Sequence, residues 1–135
     1  MQILYPASTT HGIIREMPFE NTLALRVTRR HKDGVTLQCL IHAEFLNAVG
    51  ILHGGIIASI ADEAAWWAME NHFGRHVPST TTELKVNYLR PITGNKAFAR
   101  AYLVRAGKTL CVSRVDILDQ KRKLSALATV TYMLL

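Results

Sequence analysis

Hydrophobic and polar positions change period several times along the chain, and each change marks an element. Over Thr22–Arg30, Leu23, Leu25 and Val27 alternate with Thr22, Arg26 and Thr28, the period-two pattern of a half-buried strand. His31–Lys32–Asp33–Gly34 follows, and an Asp-Gly pair between two alternating runs predicts a hairpin. Val35, Leu37, Cys39 and Ile41 then alternate with Thr36, Gln38 and His42 as a second strand. Glu44–Leu52 reads as a connecting loop. After Gly55 the pattern stops alternating: from Ile56 to Met69 apolar residues leave no broad polar face, which predicts one long helix buried on nearly every side and capped by Gly74.

Four more strands follow. Leu84, Val86 and Tyr88 alternate with Glu83, Lys85 and Asn87 until Pro91, and Ala97–Arg105, Thr109–Leu118 and Leu124–Leu134 are separated by short turns. Residues 1–19, broken by Pro6 and Pro18, predict no element. Short turns imply antiparallel pairing. The expected architecture is therefore α+β: about six antiparallel strands wrapped around one buried helix, in a single domain spanning 1–135. The Ala-rich helix and Ala-rich last strand allow the two layers to approach closely.

The helix carries two acids, Asp62 and Glu63, in its apolar middle. Desolvating an unpaired carboxylate is expensive, so such a residue needs a purpose or a partner. Asp62 is the candidate working residue; Glu63, about 100° around the helix, is its rival. Gly54–Gly55 opens the helix, where unpaired N–H groups and the helix dipole are aimed donors for a developing oxyanion.

Composition narrows the classes. A chain of 135 residues, 49% hydrophobic and 19% charged, can bury a real core. The start, MQILYPASTTHG, lacks the basic and apolar regions of a signal peptide, and no run is long and apolar enough for a membrane span. Cys39 and Cys111 are isolated, as expected of reduced thiols in a cytoplasmic protein. The net charge of +6 suits a polyanionic substrate, but the cations are scattered. The densest group, Lys121–Arg122–Lys123, reads as a solvated hairpin turn. No nucleic-acid-binding signature is present.

The order of elements, together with Asn47…Leu52–His53–Gly54–Gly55…Ala61–Asp62, resembles the hotdog-fold acyl-CoA thioesterases, and especially the branch of the phenylacetate-pathway thioesterase. The likeness continues through Val86–Asn87–Tyr88–Leu89–Arg90–Pro91, Ala106–Gly107–Lys108–Thr109 and Ala126–Leu127–Ala128–Thr129, covering most of the chain from about Leu23 onward. The resemblance implies that Gly54, at the helix start, polarises the thioester carbonyl. Asp62 would act as base or nucleophile, and Asn47 would position the reactants. It also implies an assisting hydroxyl early in the next strand, for which Thr81 is the best match beside Ser79, Thr80 and Thr82. His53 and Gly55 belong to the same motif as substrate-binding candidates, with His53 packing and bonding within the loop rather than serving as a base. Trp66 lies one turn after Asp62, either in the core or on the acyl pocket. Arg90, Arg105 and Lys108 are candidates for the coenzyme A phosphates.

Other chemistries fit less well. His72 and His76 straddle the helix end with no third ligand, so no metal is expected, and no cofactor beyond the coenzyme A of the substrate. There is no GxSxG motif. The alternatives are a hotdog dehydratase or hydratase, which would use His53 with an acid, and a non-catalytic acyl-CoA-binding protein. Spacing adds one expectation. Gly54 and Asp62 are eight residues apart, roughly 12 Å along a helix axis. One Asp side chain cannot span that distance to a water beside the same carbonyl. Each site should therefore combine two copies, as the family resemblance also implies, in a homodimer or homotetramer with sites at the dimer interface.

Overall fold

The computed structural model describes residues 18–135; the amino-terminal stretch, with its expected lack of a leader peptide, lies outside them. The elements are α1 (Pro18–Thr22), β1 (Leu25–His31), β2 (Gly34–Leu40), a 3-10 turn at Ala43–Phe45, α2 (Gly54–Phe73), β3 (Ser79–Tyr88), β4 (Lys96–Ala106), β5 (Leu110–Asp119) and β6 (Leu124–Leu134). The six strands form one antiparallel sheet in the order β1-β2-β4-β5-β6-β3. This is the expected sheet around a single long helix.

The period-two pattern sorts the sheet into two faces. Val35, Leu37, Ala99, Ala101, Val115, Ile117, Ala126 and Val130 are fully buried against α2. From the helix, Ile60, Ala61, Ala64, Ala65, Trp67, Ala68 and Met69 fill the other half of the same core. Five alanines of β4 and β6 and the helix alanines 61, 64, 65 and 68 leave little bulk between the layers, and the two aromatic anchors, Trp66 and Trp67, occupy the carboxyl-terminal half of α2. Gly74 ends the helix with φ of 68°, a left-handed conformation that costs glycine little.

Three features depart from the alternation pattern. Pro18–Thr22 is a short helix rather than the beginning of a strand, with Pro18 at the first helical position where its missing N–H costs nothing. β3 begins at Ser79, ahead of Leu84. It is an edge strand none of whose ten residues is buried, so its polar opening Ser79–Thr82 carries no hydrophobic alternation to read. In the first hairpin, His31 pairs with Gly34, which places Lys32 and Asp33 in the turn and Gly34 inside β2. Gly34 is required by contact rather than by turn type: a Cβ there would lie 1.9 Å from the Ala101 carbonyl oxygen. Among the described residues no helix is long and apolar enough to cross a membrane.

Candidate active site

The helix start is assembled by its own loop. Asn47 accepts hydrogen bonds at Oδ1 from the Val49 and Ile51 N–H groups, at 3.0 and 3.1 Å, and its backbone closes the turn with Ile51 and Gly50. Gly50, at φ of 80°, makes that turn possible. His53 is the N-cap: its Nδ1 accepts from the Gly55 N–H at 2.8 Å, and its carbonyl accepts from Ile56 and Ile57. An accepting Nδ1 places the proton of the neutral ring on Nε2. Gly55 has no side chain because a Cβ would press on His53 Nδ1 at 3.1 Å and Cε1 at 3.2 Å. With Gly55, Ile56 and Ile57 engaged, the Gly54 N–H is the donor at this end that no described residue holds.

Beside it opens a cleft of about 310 Å³, lined by Ile51, Gly54, Ile57, Tyr88, Leu89 and Arg90 among others. The walls are mostly apolar, and Arg90 is the cation among the lining residues. Tyr88 leans over the helix start and donates its hydroxyl hydrogen to the Gly54 carbonyl at 2.7 Å.

Two turns along α2, Asp62 is half-buried and held by two hydroxyls. Thr81 Oγ1 donates to Asp62 Oδ1 at 2.8 Å, and the Tyr132 hydroxyl, 2.9 Å from the same oxygen, also lies 3.0 Å from the Asp62 carbonyl. Both donors sit on Oδ1, so Oδ2 is the oxygen without a partner among the described residues. Burial, reinforced by the Asp62 charge, raises the Tyr132 hydroxyl far above its ordinary range, so it stays a donor. Thr81 and Tyr132 are cross-strand partners on β3 and β6. The Asp62 cradle is thus a product of sheet register, and Tyr132 is the member that periodicity alone assigned only to the core.

Glu63 does not join this cradle. Burial, with the neighbouring charges of Glu20 and Asp62, pushes its carboxyl up to about 7. Glu20 of α1 is 5% exposed; its Oε1 accepts from Trp67 Nε1 at 2.7 Å while its Oε2 has no partner among the described residues, and burial pushes it up to about 7 as well. Trp66 is buried in the core, its ring stacked on His76 at 5.0 Å. His72 lies edge-on to Phe73, ring centroids 5.0 Å apart. Cys39 and Cys111 are free and buried, and burial pushes the Cys39 thiol up to about 11, far from a nucleophile at neutral pH.

The structure brings Gly54, His53, Gly55, Asn47 and Arg90 to one end of the helix, and Asp62 and Thr81 to another place. Asp62 meets Thr81 while Gly54 meets Tyr88, seven residues further along β3, roughly 23 Å of strand. Arg105 and Lys108 are exposed at the Thr81 end of the sheet, since Ala106, Cys111, Tyr132 and Thr81 share one cross-strand row.

Comparison with known proteins identifies the family. A model of the thioesterase superfamily matches residues 49–126, which include the helix start, Asp62 and Thr81. The medium/long-chain acyl-CoA thioesterase YigI of Salmonella typhimurium is 33% identical, over 89% of this chain and 87% of that protein. A thioesterase family protein from Silicibacter pomeroyi superposes with a TM-score of 0.83 at 26% identity, covering 93% of this chain and 94% of that one. The phenylacetic acid degradation protein PaaI from Thermus thermophilus gives 0.77 at 27% identity, covering 87% and 99%. With its hotdog sheet, its capped Gly-Gly helix start and its cradled helix carboxylate, the chain belongs to the thioesterase superfamily, as an enzyme that hydrolyses thioesters.

Proposed function

We propose that the chain hydrolyses acyl-CoA thioesters to a free acid and coenzyme A, at sites where Asp62 of one copy works beside Gly54 of another. The observation that carries this reading is the split geometry: an unengaged donor at the helix start and a partly exposed carboxylate two turns away, both pre-organised and too far apart to meet on one thioester. In the hydrolytic step Asp62 Oδ2 takes a proton from water and the water oxygen bonds to the thioester carbon. The carbonyl electron pair moves to the oxygen, facing the Gly54 N–H and the positive end of the helix dipole. Collapse breaks the C–S bond, and the proton passes from Asp62 to the departing sulfur. If Asp62 attacks directly instead, an anhydride forms and water opens it. Single-turnover hydrolysis in ¹⁸O water separates the two, because only the anhydride route leaves label in Asp62.

Two surface features support a shared site. The edge strand β3 offers ten unburied residues and a ladder edge that no described strand pairs, which natural proteins rarely leave open. The side of α2 not packed on the sheet carries Gly55, Ala58, Ser59 and Asp62, incompletely buried and mostly small. An antiparallel copy of α2 centred near Ala58 would set each Asp62 against the opposite Gly54. The assembly is a homodimer, or a tetramer of two such dimers. The acyl group belongs to the medium-to-long class named for the YigI relative, in keeping with the apolar cleft, and Arg90 meets the coenzyme A phosphates. The two unpaired buried thiols favour a reducing compartment, the cytoplasm. A hydratase would need His53 for proton transfer, and its Nδ1 is committed to Gly55.

The decisive experiment mixes two variants under subunit exchange. Asp62→Asn removes the base; Asn47→Asp removes the amide donor yet keeps the oxygen that holds the turn. A mixed dimer contains one doubly damaged and one intact site, so activity with a panel of acyl-CoAs returns on mixing. Exchanged dimers that stay inactive, or a fully active monomer, overturn the shared site. Failure of every acyl-CoA in the panel overturns the substrate.

A further inference from the structure

On the outer face of the sheet, opposite α2, lies a second cleft of about 460 Å³. Its lining includes Thr28, Arg29, His31, Thr36, Arg100 and Arg122, and no carboxylate. Register explains the convergence. A bulge in β1 between Val27 and Arg29 shifts the strand so that Arg29 stands opposite Thr36, which in turn pairs with Arg100 on β4. Bulges commonly re-aim a side chain in this way. Arg122 arrives from the β5–β6 turn, where its own φ of 66° folds it back. Its guanidinium lies 3.6 Å over the Phe98 ring, while Lys121, Arg122 and Lys123 all stay exposed, as the basic run suggested.

Of the lining arginines, Arg100 and Arg122 are held in place before any ligand arrives. Arg100 donates from Nη2 to Asp33 Oδ1 at 2.6 Å and from Nη1 to the Ala101 carbonyl at 2.7 Å, and it stacks over Tyr102 at 4.0 Å. Arg114 stacks on the same ring at 4.3 Å, with Asp116 beside it at 3.5 Å. Asp33 and Asp116 are thus each already paired with an arginine. Arg29 and Arg122 make no ion pair among the described residues. His31, 2.7 Å from the Thr36 hydroxyl, senses the surplus: desolvation first, then the charges of Arg100 and Arg29, hold its imidazole below the usual range, with Asp33 opposing. Like charges gathered in one concavity repel unless an anion neutralises them. Planar guanidiniums held by stacking present ready forks to phosphate oxygens and lose little freedom on binding. The volume suits a small molecule.

We propose that this cleft binds a phosphate-bearing anion of at least two negative charges, at a site separate from the thioesterase cleft and on the opposite face of the sheet. The anion is the phosphate portion of a soluble metabolite or of a lipid headgroup, which present the same chemistry to the arginines. The proposal stands whether or not the catalytic reading above is correct.

The probe is inorganic pyrophosphate, titrated calorimetrically into the full-length protein at low salt. One equivalent per chain binds in a manner that depends on this cleft. Arg29→Ala and Arg122→Ala each weaken that binding by about tenfold or more, the scale of a lost charge-assisted hydrogen bond. Arg90→Gln, in the other cleft, leaves the Arg29- and Arg122-dependent binding unchanged. Arg29→Lys, which keeps the charge but loses the fork, falls between wild type and Arg29→Ala. In NMR titrations pyrophosphate raises the protonation midpoint of His31. Sedimentation with phosphatidic acid–phosphatidylcholine vesicles that depends on Arg29 and Arg122 assigns the lipid source, and its absence assigns the soluble one. No pyrophosphate binding, binding indifferent to both alanine variants, equal weakening by Arg90→Gln, or an unmoved His31 midpoint overturns the proposal.

Discussion

The Tyr88 ring stands 3.4 Å from the point where a Gly54 side chain would begin, and its hydroxyl grips the Gly54 carbonyl at 2.7 Å. That separation is ordinary van der Waals contact, so the fold itself does not forbid a methyl group there. The space beside the Gly54 N–H is what the glycine leaves open. Gly54→Ala is therefore expected to retain or slightly raise stability, since alanine is the better helix former by about 1 kcal/mol. Its kcat/KM should fall by about tenfold or more, the scale of an obstructed oxyanion donor. Thermal melting and steady-state kinetics on the same preparation check the split; equal losses in both would point to a packing role.

Asp62→Asn is expected to lower kcat by roughly two orders of magnitude or more while leaving the melting temperature nearly unchanged. Thr81→Val and Tyr132→Phe each remove one of the two donors on Asp62 Oδ1. Each should lower kcat less than Asp62→Asn does, and the double variant should lose less than the two single losses combined, because the hydroxyls act through the same oxygen. A double-mutant cycle on kcat measures that coupling.

Stability should decline as pH rises from about 4.5 to about 7, for a reason located at two acids. Glu20 and Glu63 titrate near 7 in the folded chain, against 4.5 for an ordinary glutamate. A raised carboxyl favours folding fully below the ordinary value, and that contribution is lost as pH rises through about 7. Between pH 5 and 8 the pair should cost on the order of 1–3 kcal/mol. Glu63→Gln should flatten the profile of denaturant midpoint against pH without abolishing turnover. A profile of unchanged slope would refute the assignment.

Arg90 lines the cleft at the helix start, whereas Arg105 and Lys108 sit at the other end of the sheet. Arg90→Gln should raise KM for acyl-CoA with little change in kcat, the sign of lost uniform binding, and added salt should do the same to the wild type. In a shared site Arg105 and Lys108 flank the Asp62 of the opposite copy. Their neutralisation should shift KM less than that of Arg90, and steady-state kinetics across the three variants rank them.

Period and motif made much of this legible. The buried helix could be read because apolar residues on every side of Ile56–Met69 admit no other environment, and β2, β4, β5 and β6 could be read because their inner faces are continuous. Asp62 and Gly54 were marked by an acid in an apolar helix and by paired glycines before it. What stayed hidden depends on contacts between distant segments. Glu20 is buried by Trp67, 47 residues away in sequence, and no local pattern announces that. Tyr132 looks like any inward residue of an alternating strand until β3 brings Thr81 beside it. Arg122 is an exposed turn charge, as its basic run indicates, but the Phe98 ring beneath it belongs to another strand and no local pattern announces it.

Gly34 has a consequence that reaches beyond its hairpin. Its bare backbone lets β2 lie against the Ala101 carbonyl, where any side chain would collide. This contact fastens β2 to β4 in one alignment. A shift by a single residue would exchange the two faces of β2, sending Thr36 and Gln38 toward the helix and Val35 and Leu37 into water. The division of this protein into a dry side that holds the thioesterase helix and a cationic side that faces outward is guarded, at its outer margin, by one absent methyl group.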